Sequence, residues 1–210
     1  DLHVKRHSFP TRRSSDLKSF ARFENQGLLP NFFGADGRHN AYNSVDASLW
    51  YFWAVQQMMA RCGYRDEVRH HLWPTLKSIL THFMQGTDFD IHMTPDGLLH
   101  AGNALTQLTW MDACVQGQPV TPRHGCAVEI NALWYNAVRF ADQLATDFGE
   151  SNTPYAPLAD RIRAAFLPAF WMESEQCLGD VRNEEGLDSS IRPNQILAVS
   201  LPYSPLPPDH

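Results

Sequence analysis

The sequence is poor in cysteine, and its cysteines lack the spacing of a metal site or a disulfide framework. Four are present, Cys62, Cys114, Cys126 and Cys177, with no Cys-x-x-Cys pair. A zinc ribbon or a disulfide-rich scaffold needs denser, paired cysteines. Cys114 and Cys126 flank His124, but a structural zinc site would need a fourth ligand and tighter spacing. We therefore expect reduced, buried thiols in a cytoplasmic protein, without a metal ion or a cofactor.

Long apolar runs and an excess of positive charge are missing as well. No apolar run approaches the roughly 20 residues that a membrane-spanning helix needs. The formal net charge is −6 and the sequence pI is about 5.9, which is unfavourable for binding nucleic acid or an anionic membrane surface. No repeat of fixed period and no low-complexity block occurs. We expect a soluble protein that has neither nucleic acid nor membrane as a partner.

Residues 1–17 differ in composition from the rest of the chain. This segment has no apolar period and is basic where the remainder is acidic, and it resembles the translation of a sequencing adapter. We expect a non-native or unstructured leader over 1–17. Hydrophobic residues make up 43% of the chain, which is enough for a substantial core over 18–210. We interpret 18–210 as a fragment of one domain.

Two neighbouring helices are predicted to differ in burial. Ser44 is a good N-cap for a helix that runs to about Arg61 and ends at Gly63. Its apolar residues, which leave almost no polar stripe, are Val45, Leu49, Trp50, Phe52, Trp53, Val55, Met58 and Met59. A helix that is apolar nearly all round is buried on every side. The next helix, 66–84, has one apolar stripe and contains Pro74, which should kink it or start it afresh.

The alternation of a fully buried helix with a helix that has one apolar face is repeated further along the chain. A long helix from about Ile130 ends near Gly149, a second starts near Tyr155, and a short apolar helix covers 196–201. After the predicted helix 66–84, the segment 91–100 contains a Thr-Pro-Asp-Gly turn, which predicts a small β-hairpin. We expect the polar stretch 179–186 to be a loop. The fold class is all-α with minor β structure.

One stretch of fewer than thirty residues concentrates polar and aromatic side chains on the links between helices. It contains Trp110, Asp112, Arg123, His124, Glu129, Asn131 and Trp134. Aromatic rings pack against the apolar faces of pyranoses, and charged groups hold sugar hydroxyls. This combination is typical of a carbohydrate site.

Four sequence blocks resemble a known family. They are Tyr-Asn-Ser-Val-Asp-Ala-Ser-Leu-Trp at 42–50, Gln-Leu-Thr-Trp-Met-Asp at 107–112, Thr-Pro-Arg-His-Gly at 121–125 with Val-Glu-Ile-Asn-Ala-Leu-Trp at 128–134, and Ser-Ile-Arg-Pro-Asn-Gln at 190–195. In this order they resemble the C-terminal amylo-α-1,6-glucosidase domain of glycogen debranching enzymes, over roughly 25–203. The resemblance implies an (α/α)6 toroid glycosidase fold, of which this chain would hold about half of the helices.

The resemblance also implies an activity and a substrate. Members of this family hydrolyse the α-1,6-linked glucose left at a trimmed branch point of glycogen or limit dextrin, with inversion. Inverting hydrolysis needs two carboxyl groups about 6.5–9.5 Å apart, a general acid and a general base. Asp112 matches the acid, whereas the family's base would lie beyond residue 210. We therefore expect this truncated chain to be inactive alone, with Glu129 holding sugar hydroxyls.

The resemblance further implies a set of substrate-binding residues. They are Asp46, Trp50, Trp110, Arg123, His124, Glu129, Asn131, Trp134, Arg192, Asn194 and Gln195. Structural alternatives stay open for several: Asp112 as a turn or N-cap residue, Asp46 as a partner of the helix dipole, and Asn194 as a helix cap. Trp50 and Trp134 could instead pack in the hydrophobic core. His124 could be a loop residue that is hydrogen-bonded to the backbone, and Arg123 could form a buried ion pair with Asp46 without any ligand.

Two other functions compete with debranching. Trehalases and neutral invertases are toroidal glycosidases that use a similar Asp in a Trp-x-Asp setting, but the Thr-Pro-Arg-His-Gly block favours debranching. A non-catalytic glycan-binding helical module is the alternative outside the enzymes, whereas a repeat scaffold would show a period of roughly 30–40 residues. An exposed inner-helix face in half a toroid predicts association or aggregation.

Overall fold

A computed structural model describes the chain over residues 9–34 and 39–207, with side chains from residue 14 onward. Its helices are α1 (Phe9–Ala21), α2 (Asp46–Cys62), α3 (Arg65–Glu67), α4 (Trp73–Gln85), α5 (Val128–Phe148), α6 (Tyr155–Phe170) and α7 (Leu197–Ser200). A π-helical turn, Val68–Leu72, joins α3 to α4, and 3-10 turns cover Asp88–Asp90 and Pro193–Ile196. None of the helices in these ranges is long and apolar enough to span a membrane.

Short strands connect the helices. They are β1 (His92–Met93), β2 (Leu99–His100), β3 (Cys114–Val115), β4 (Gln118–Pro119), β5 (Cys126–Ala127), β6 (Trp171–Met172), β7 (Cys177–Leu178), β8 (Val181–Asn183) and β9 (Gly186–Asp188). The pairs β1–β2, β3–β4 and β6–β7 are antiparallel hairpins, and β5–β8–β9 form an antiparallel three-stranded sheet. The prediction of a mainly helical chain with a β1–β2 hairpin is confirmed.

Helix α5 is the central element of the core. It packs against three other helices, α2, α6 and α7. Ile130, Leu133, Val138 and Leu144 along it are at most 1% exposed, so apolar neighbours cover it on nearly all sides. Gly149, with φ of 75°, ends the helix in the left-handed conformation that glycine adopts without strain. The predicted course of α5 and the start of α6 at Tyr155 are confirmed.

Helix α2 ends before Gly63 as predicted, but it has Val45 rather than Ser44 at the N-cap position and lacks the predicted burial. The Ser44 hydroxyl accepts a hydrogen bond from the Ala47 N–H at 3.2 Å, and Gly63, with φ of 68°, closes the helix. The expectation that α2 is buried on every side is wrong. Trp50 is 36% exposed and packs edge-to-face on half-buried Trp53, with ring centroids 5.7 Å apart. The described chain covers this face of α2 only partly.

The predicted break at Pro74 is confirmed. Pro74 lies in the first turn of α4, where its missing N–H would have no intrahelical partner in any case. A π-helical turn, Val68–Leu72, directly precedes α4. Helix α4 then buries one face, through Leu76, Ile79 and Phe83.

The expected leader is helical where the structure describes it. Helix α1 begins at Phe9, Leu17 packs against the core, and the Tyr51 hydroxyl donates a 2.8 Å hydrogen bond to the Leu17 carbonyl. Lys18 pairs with Glu67 at 2.5 Å. Residues 9–17 are thus helical rather than unstructured, whereas a non-native origin of residues 1–17 stays a prediction. Residues 1–8 lie outside the described ranges.

The stretch predicted as a polar loop, 179–186, contributes most of a β-hairpin. Strand β8 pairs with β9, and on its other edge with β5, through Cys126–Arg182 and Ala127–Val181. Gly125 precedes β5 with φ of 107°, and a side chain there would lie 2.6 Å from the Arg182 carbonyl oxygen. This sheet holds the loop before α5 against the segment after α6. The predicted helix over 196–201 is shorter, because a 3-10 turn takes Pro193–Ile196 and leaves Leu197–Ser200 to α7.

Candidate active site

A cavity of about 350 Å³ opens where α2, the start of α5 and the Pro193–Ile196 turn meet. Its lining residues are Asp46, Trp50, Trp110, Glu129, Leu133, Pro193, Asn194, Ile196 and Leu197. Trp110 is 60% exposed and forms one wall, and Trp50 contributes a second ring. Two carboxylates and one amide, from Asp46, Glu129 and Asn194, also belong to the lining, although most of the exposed surface is apolar. The cavity therefore combines apolar surface with hydrogen-bond acceptors.

Behind the cavity, one guanidinium group holds two buried carboxylates. Arg123 binds Glu129 through both Nη atoms, with Nη2 2.6 Å from Oε2. On its other edge Nε and Nη2 each lie 2.8 Å from an oxygen of Asp180. The fifth bond runs from Nη1 to the Thr109 hydroxyl at 3.1 Å. Every N–H of Arg123 thus faces an acceptor, the arrangement that buried charges require.

Burial and ion pairing act in opposite directions on these groups. Desolvation raises the pKa of the Glu129 carboxyl, and the hydrogen bonds and charge of Arg123 oppose that rise. Desolvation lowers the pKa of Arg123, but its two carboxylate partners outweigh this effect and the net shift is upward. The guanidinium group therefore stays charged. Arg123 engages both Glu129 oxygens, and the predicted role of Glu129 in holding sugar hydroxyls stays a prediction.

A second chain of hydrogen bonds links this cluster to the cavity wall. The Asn194 amide nitrogen donates to Asp180 Oδ1 at 2.8 Å, and the Asn194 oxygen accepts from the Trp110 indole N–H at 3.0 Å. Arg192 Nε lies 2.9 Å from Asp180 Oδ2. The indole on the wall is thus connected to the buried carboxylate through one amide. Arg192 is half-buried beside the cavity.

Asp46 is the carboxylate at the cavity that has no guanidinium partner among the described residues. Burial raises its pKa, whereas hydrogen bonds from the Ser44 hydroxyl and from the Trp110 backbone N–H oppose the rise. Its position in the first turn of α2 also favours the charged form through the helix dipole. The alternative of a buried Arg123–Asp46 pair is wrong, because Arg123 binds Glu129 and Asp180 instead.

Asp112, the predicted general acid, lies two residues beyond Trp110 in the loop before β3. Its side chain is exposed and is not among the residues that line the cavity. The Met111 sulfur lies 3.6 Å from the Asn194 amide nitrogen, which ties this loop to the Pro193–Ile196 turn. The role of Asp112 stays a prediction.

A family model described as amylo-alpha-1,6-glucosidase matches residues 7–210. The chain belongs to the amylo-alpha-1,6-glucosidase family. The glycogen debranching enzyme of Saccharomyces cerevisiae is 28% identical, over an alignment that covers 61% of this chain and 12% of that protein. The chain thus spans about an eighth of the length of this curated relative, and the resemblance seen in the four sequence blocks is confirmed at the level of the family.

Solved structures show the fold of this amylo-alpha-1,6-glucosidase family member. A GH78 family rhamnosidase of Bacillus sp. GL1 is 19% identical with a TM-score of 0.59, covering 89% of this chain and 20% of its own. A rhamnosidase from Klebsiella oxytoca with rhamnose bound is 13% identical with a TM-score of 0.55, covering 81% and 31%. The likeness indicates a helical glycosidase fold. That the chain forms half of an (α/α)6 toroid stays a prediction.

Two residues predicted to bind sugar in this family member lie in the core instead. Asn131 is fully buried, and its amide bonds the Leu99 N–H at 2.7 Å, the Leu99 carbonyl at 3.1 Å and the Ala127 carbonyl at 3.0 Å. Trp134 is also fully buried, and its indole N–H donates to the Gly97 carbonyl at 3.1 Å. Both side chains point from α5 toward the β1–β2 hairpin and neither lines the cavity, so their role in substrate binding stays a prediction.

His124 and Gln195 are also separated from the cavity. His124 lines a second cavity of about 320 Å³ along β8 and β9, with Nε2 3.4 Å from a Glu184 oxygen. The Gln195 side chain accepts a 3.2 Å hydrogen bond from the Leu178 N–H, which joins the Pro193–Ile196 turn to β7. Of the predicted residues, the cavity and its supporting cluster bring together Asp46, Trp50, Trp110, Arg123, Glu129, Arg192 and Asn194.

Asp180 is the residue of the buried charge cluster that sequence reasoning missed. It follows Gly179 in a stretch that the sequence predicts as a polar loop, and a lone aspartate in such a loop carries no local signal. The alternation from Val181 to Asn183 before Gly186 was the available sign of a strand, and a strand beside β5 would have placed Asp180 near Arg123.

The cysteines differ in burial, and none of them belongs to a candidate metal cluster in the described residues. In the parts of the chain that the structure describes, no group of three or more His, Cys, Asp or Glu side chains is placed to hold a metal ion. All four cysteines are free. Cys126 is buried as expected and burial raises the pKa of its thiol, whereas Cys114 is exposed in the β3–β4 hairpin. The expectation of a buried thiol is wrong for Cys114, because this hairpin lies on the surface.

Proposed function

We propose that the chain is part of a glycoside hydrolase that removes α-1,6-linked glucose from the branch points of glycogen or limit dextrin with inversion. One observation carries the proposal: all four sequence blocks contribute to a single cavity. Asp46 and Trp50 come from the first block, Trp110 from the second, Glu129 from the third and Asn194 from the fourth. Family membership and the name of the yeast relative support the choice of an α-glucan.

The composition of the cavity suits one glucosyl unit. A volume of about 350 Å³ is near the lower end of the range for small-molecule sites. The indole rings of Trp50 and Trp110 would pack against the apolar faces of the pyranose. The Asp46 carboxylate would accept hydrogen bonds from sugar hydroxyls, and these bonds are stronger when the acceptor is ionised.

Asp112 is the proposed general acid. It lies on the loop that begins at the cavity wall, and it would donate a proton to the leaving oxygen as the glycosidic bond breaks. This role requires the Asp112 carboxyl to lie within hydrogen-bond reach of the leaving oxygen when substrate is bound. The family resemblance puts the general base in a later part of the protein, and the engagement of both Glu129 oxygens by Arg123 supports excluding Glu129 as that base.

Glucose release from a dextrin with single α-1,6-glucosyl stubs tests the proposal. The 210-residue chain and a form extended to the natural stop codon are compared, each with an Asp112→Asn variant. We expect only the extended form to release glucose and its Asp112→Asn variant to lose at least about 100-fold in rate, since general acid catalysis supplies 10²–10⁴-fold. An α-L-rhamnoside serves as the control substrate and should not be cleaved.

Other outcomes would contradict specific parts of the proposal. Activity of the 210-residue chain alone would place the base within it, with Asp46 as the first suspect. A folded extended form that binds the dextrin without hydrolysing it would make the chain a glycan-binding module. Preference for the rhamnoside would remove the α-glucan assignment.

A further inference from the structure

The Asp180 carboxylate connects three segments of the chain beneath the cavity. It accepts hydrogen bonds from Arg123 on the β4–β5 link and from Asn194 on the Pro193–Ile196 turn, and it pairs with Arg192. Its side chain is fully buried and is not part of the cavity lining. Asp180 therefore acts on a ligand in the cavity only through the side chains that it holds.

The orientation of the Asn194 amide follows from its two partners. A carboxylate only accepts hydrogen bonds, and an indole N–H only donates them. The Asn194 nitrogen must therefore face Asp180 and its oxygen must face Trp110, as observed at 2.8 and 3.0 Å. Rotating the amide by half a turn would place donor against donor and acceptor against acceptor. The charge on Asp180 thus selects the amide orientation that Trp110 needs.

The Trp110 indole depends on this bond because little else covers it. The side chain is 60% exposed, so packing restrains only a minor part of its surface. An exposed ring that is free to change rotamer must be ordered when a ligand binds, which costs conformational entropy. A hydrogen bond to its N–H holds the ring in place beforehand.

We propose that Asp180 is a positioning residue that fixes the Trp110 indole at the cavity wall through the amide of Asn194. The relay Asp180–Asn194–Trp110 orders the ring before a sugar arrives and so strengthens binding. The identity of the ligand as a glucosyl unit rests on the proposed function, whereas the relay itself does not. In an Asp180→Asn variant the second amide offers both a donor and an acceptor, so the orientation of Asn194 is no longer selected.

Indole N–H signals in ¹⁵N NMR spectra of the 210-residue chain test the relay without any ligand. The chain has six tryptophans, and a Trp110→Phe variant identifies the signal of Trp110 by its loss. In Asp180→Asn we expect that signal to shift toward that of a free indole and to exchange with water at least about threefold faster. The buried Trp134 N–H, bonded to the Gly97 carbonyl, is the internal control and should not move.

Two further variants separate the relay from a general loss of structure. Asn194→Ala removes the connecting amide and leaves the bonds of Asp180 to Arg123, so it should reproduce the change at Trp110. Arg192→Ala removes a partner of Asp180 outside the relay and should leave Trp110 unchanged. If Asp180→Asn unfolds the chain, these two variants decide the question. An unchanged Trp110 signal in Asn194→Ala overturns the proposal.

Isomaltose, an α-1,6-linked glucose disaccharide, tests the effect of the relay on binding through a double-mutant cycle. Asp180→Asn should weaken isomaltose affinity about three- to tenfold in the unmodified chain and less than twofold in the Trp110→Phe background, where the indole N–H is already missing. If Asp180→Asn weakens isomaltose affinity by the same factor in both backgrounds, Asp180 acts by a route other than Trp110, and the proposal is overturned. If the unmodified chain does not bind isomaltose, the proposed sugar site within this chain fails, and the NMR signals still decide the relay.

Discussion

Arg123 and Asp180 face each other through two parallel hydrogen bonds, Nε to Oδ2 and Nη2 to Oδ1, each 2.8 Å long. The two residues are 57 positions apart in the sequence. The opposite edge of the same guanidinium binds Glu129, so one planar cation separates two buried carboxylates. Lysine has no such planar fork, and it would not reproduce this geometry.

Arg123→Ala should reduce stability strongly. The change leaves Glu129 and Asp180, 2% and 1% exposed, without their cation, and breaking a buried ion pair costs about 3–5 kcal/mol. Arg123→Lys should cost less, because it keeps the charge. Urea unfolding at pH 7 measures both changes.

Arg139→Ala is the surface control for this prediction. Arg139 pairs with Asp142 at a partly exposed site, and the expected cost is about 1 kcal/mol or less. A loss below about 1 kcal/mol for Arg123→Ala would contradict the buried charge cluster.

Asn131→Ala should lower stability while leaving the cavity intact. The variant removes three hydrogen bonds and leaves the buried N–H and carbonyl of Leu99 without a partner, at a cost of about 2–3 kcal/mol. Urea unfolding measures the loss, with Asn103→Ala at an exposed turn as the control, expected within about 0.5–1 kcal/mol of the unmodified chain. The folded variant should bind isomaltose as the unmodified chain does. Weaker binding at full stability would restore Asn131 to the site.

Asp46→Asn should alter how stability depends on pH. Burial raises the pKa of Asp46, so the folded chain binds this proton more tightly than the unfolded chain does. As pH rises from below 3.8, the ordinary value, through the raised pKa, the unmodified chain should lose stability relative to the variant, and the difference should then stay constant. The total difference measures the rise, at about 1.4 kcal/mol for each unit of pKa.

Glu150→Gln is a control of opposite sign for this pH dependence. Hydrogen bonds from Trp73 and Lys77 lower the pKa of Glu150, so its contribution is present above the ordinary pKa and is lost as pH falls through the lowered value. The unmodified chain should therefore lose stability relative to Glu150→Gln on acidification. Parallel unfolding curves for Asp46→Asn and the unmodified chain from pH 3 to pH 7 would refute the burial effect.

Gly125→Ala should weaken the junction of β5 with β8. Gly125 has φ of 107°, and an added Cβ would lie 2.6 Å from the Arg182 carbonyl oxygen and 2.8 Å from Asn183 Cβ. Backbone strain and this clash together should cost about 2–4 kcal/mol. Gly149→Ala is the matched control, because its φ is 75° and nothing lies within 4 Å of the added Cβ, so about 1 kcal/mol is expected. Thermal unfolding compares the two, and equal losses would show that the close approach is absent.

The helices were predictable because their signals are local. Ser44 and Gly63 bound α2, Pro74 marks the start of α4, and Gly149 ends α5. A cap or a proline acts within one turn of its own position, so the residues on either side are sufficient to interpret it. The β1–β2 hairpin followed from its turn residues in the same way.

Membership of the cavity was predictable only in part. The four sequence blocks identified Asp46, Trp50, Trp110, Glu129 and Asn194, all of which line it. The same blocks included Asn131 and Trp134, which lie on another face of α5 and are fully buried. A helix that is polar and aromatic on several faces does not show which face meets a ligand, since neighbouring segments determine that.

The sequence by itself determined the helical class, the positions of α2, α5 and α6, and the family through its motifs. Only the tertiary structure decided which side chains meet. It placed Asp180 against Arg123, Asn194 between Asp180 and Trp110, and Asn131 in the core. The physical reason is that hydrogen bonds and ion pairs act over a few ångströms in space, whereas these partners come from segments far apart in the chain.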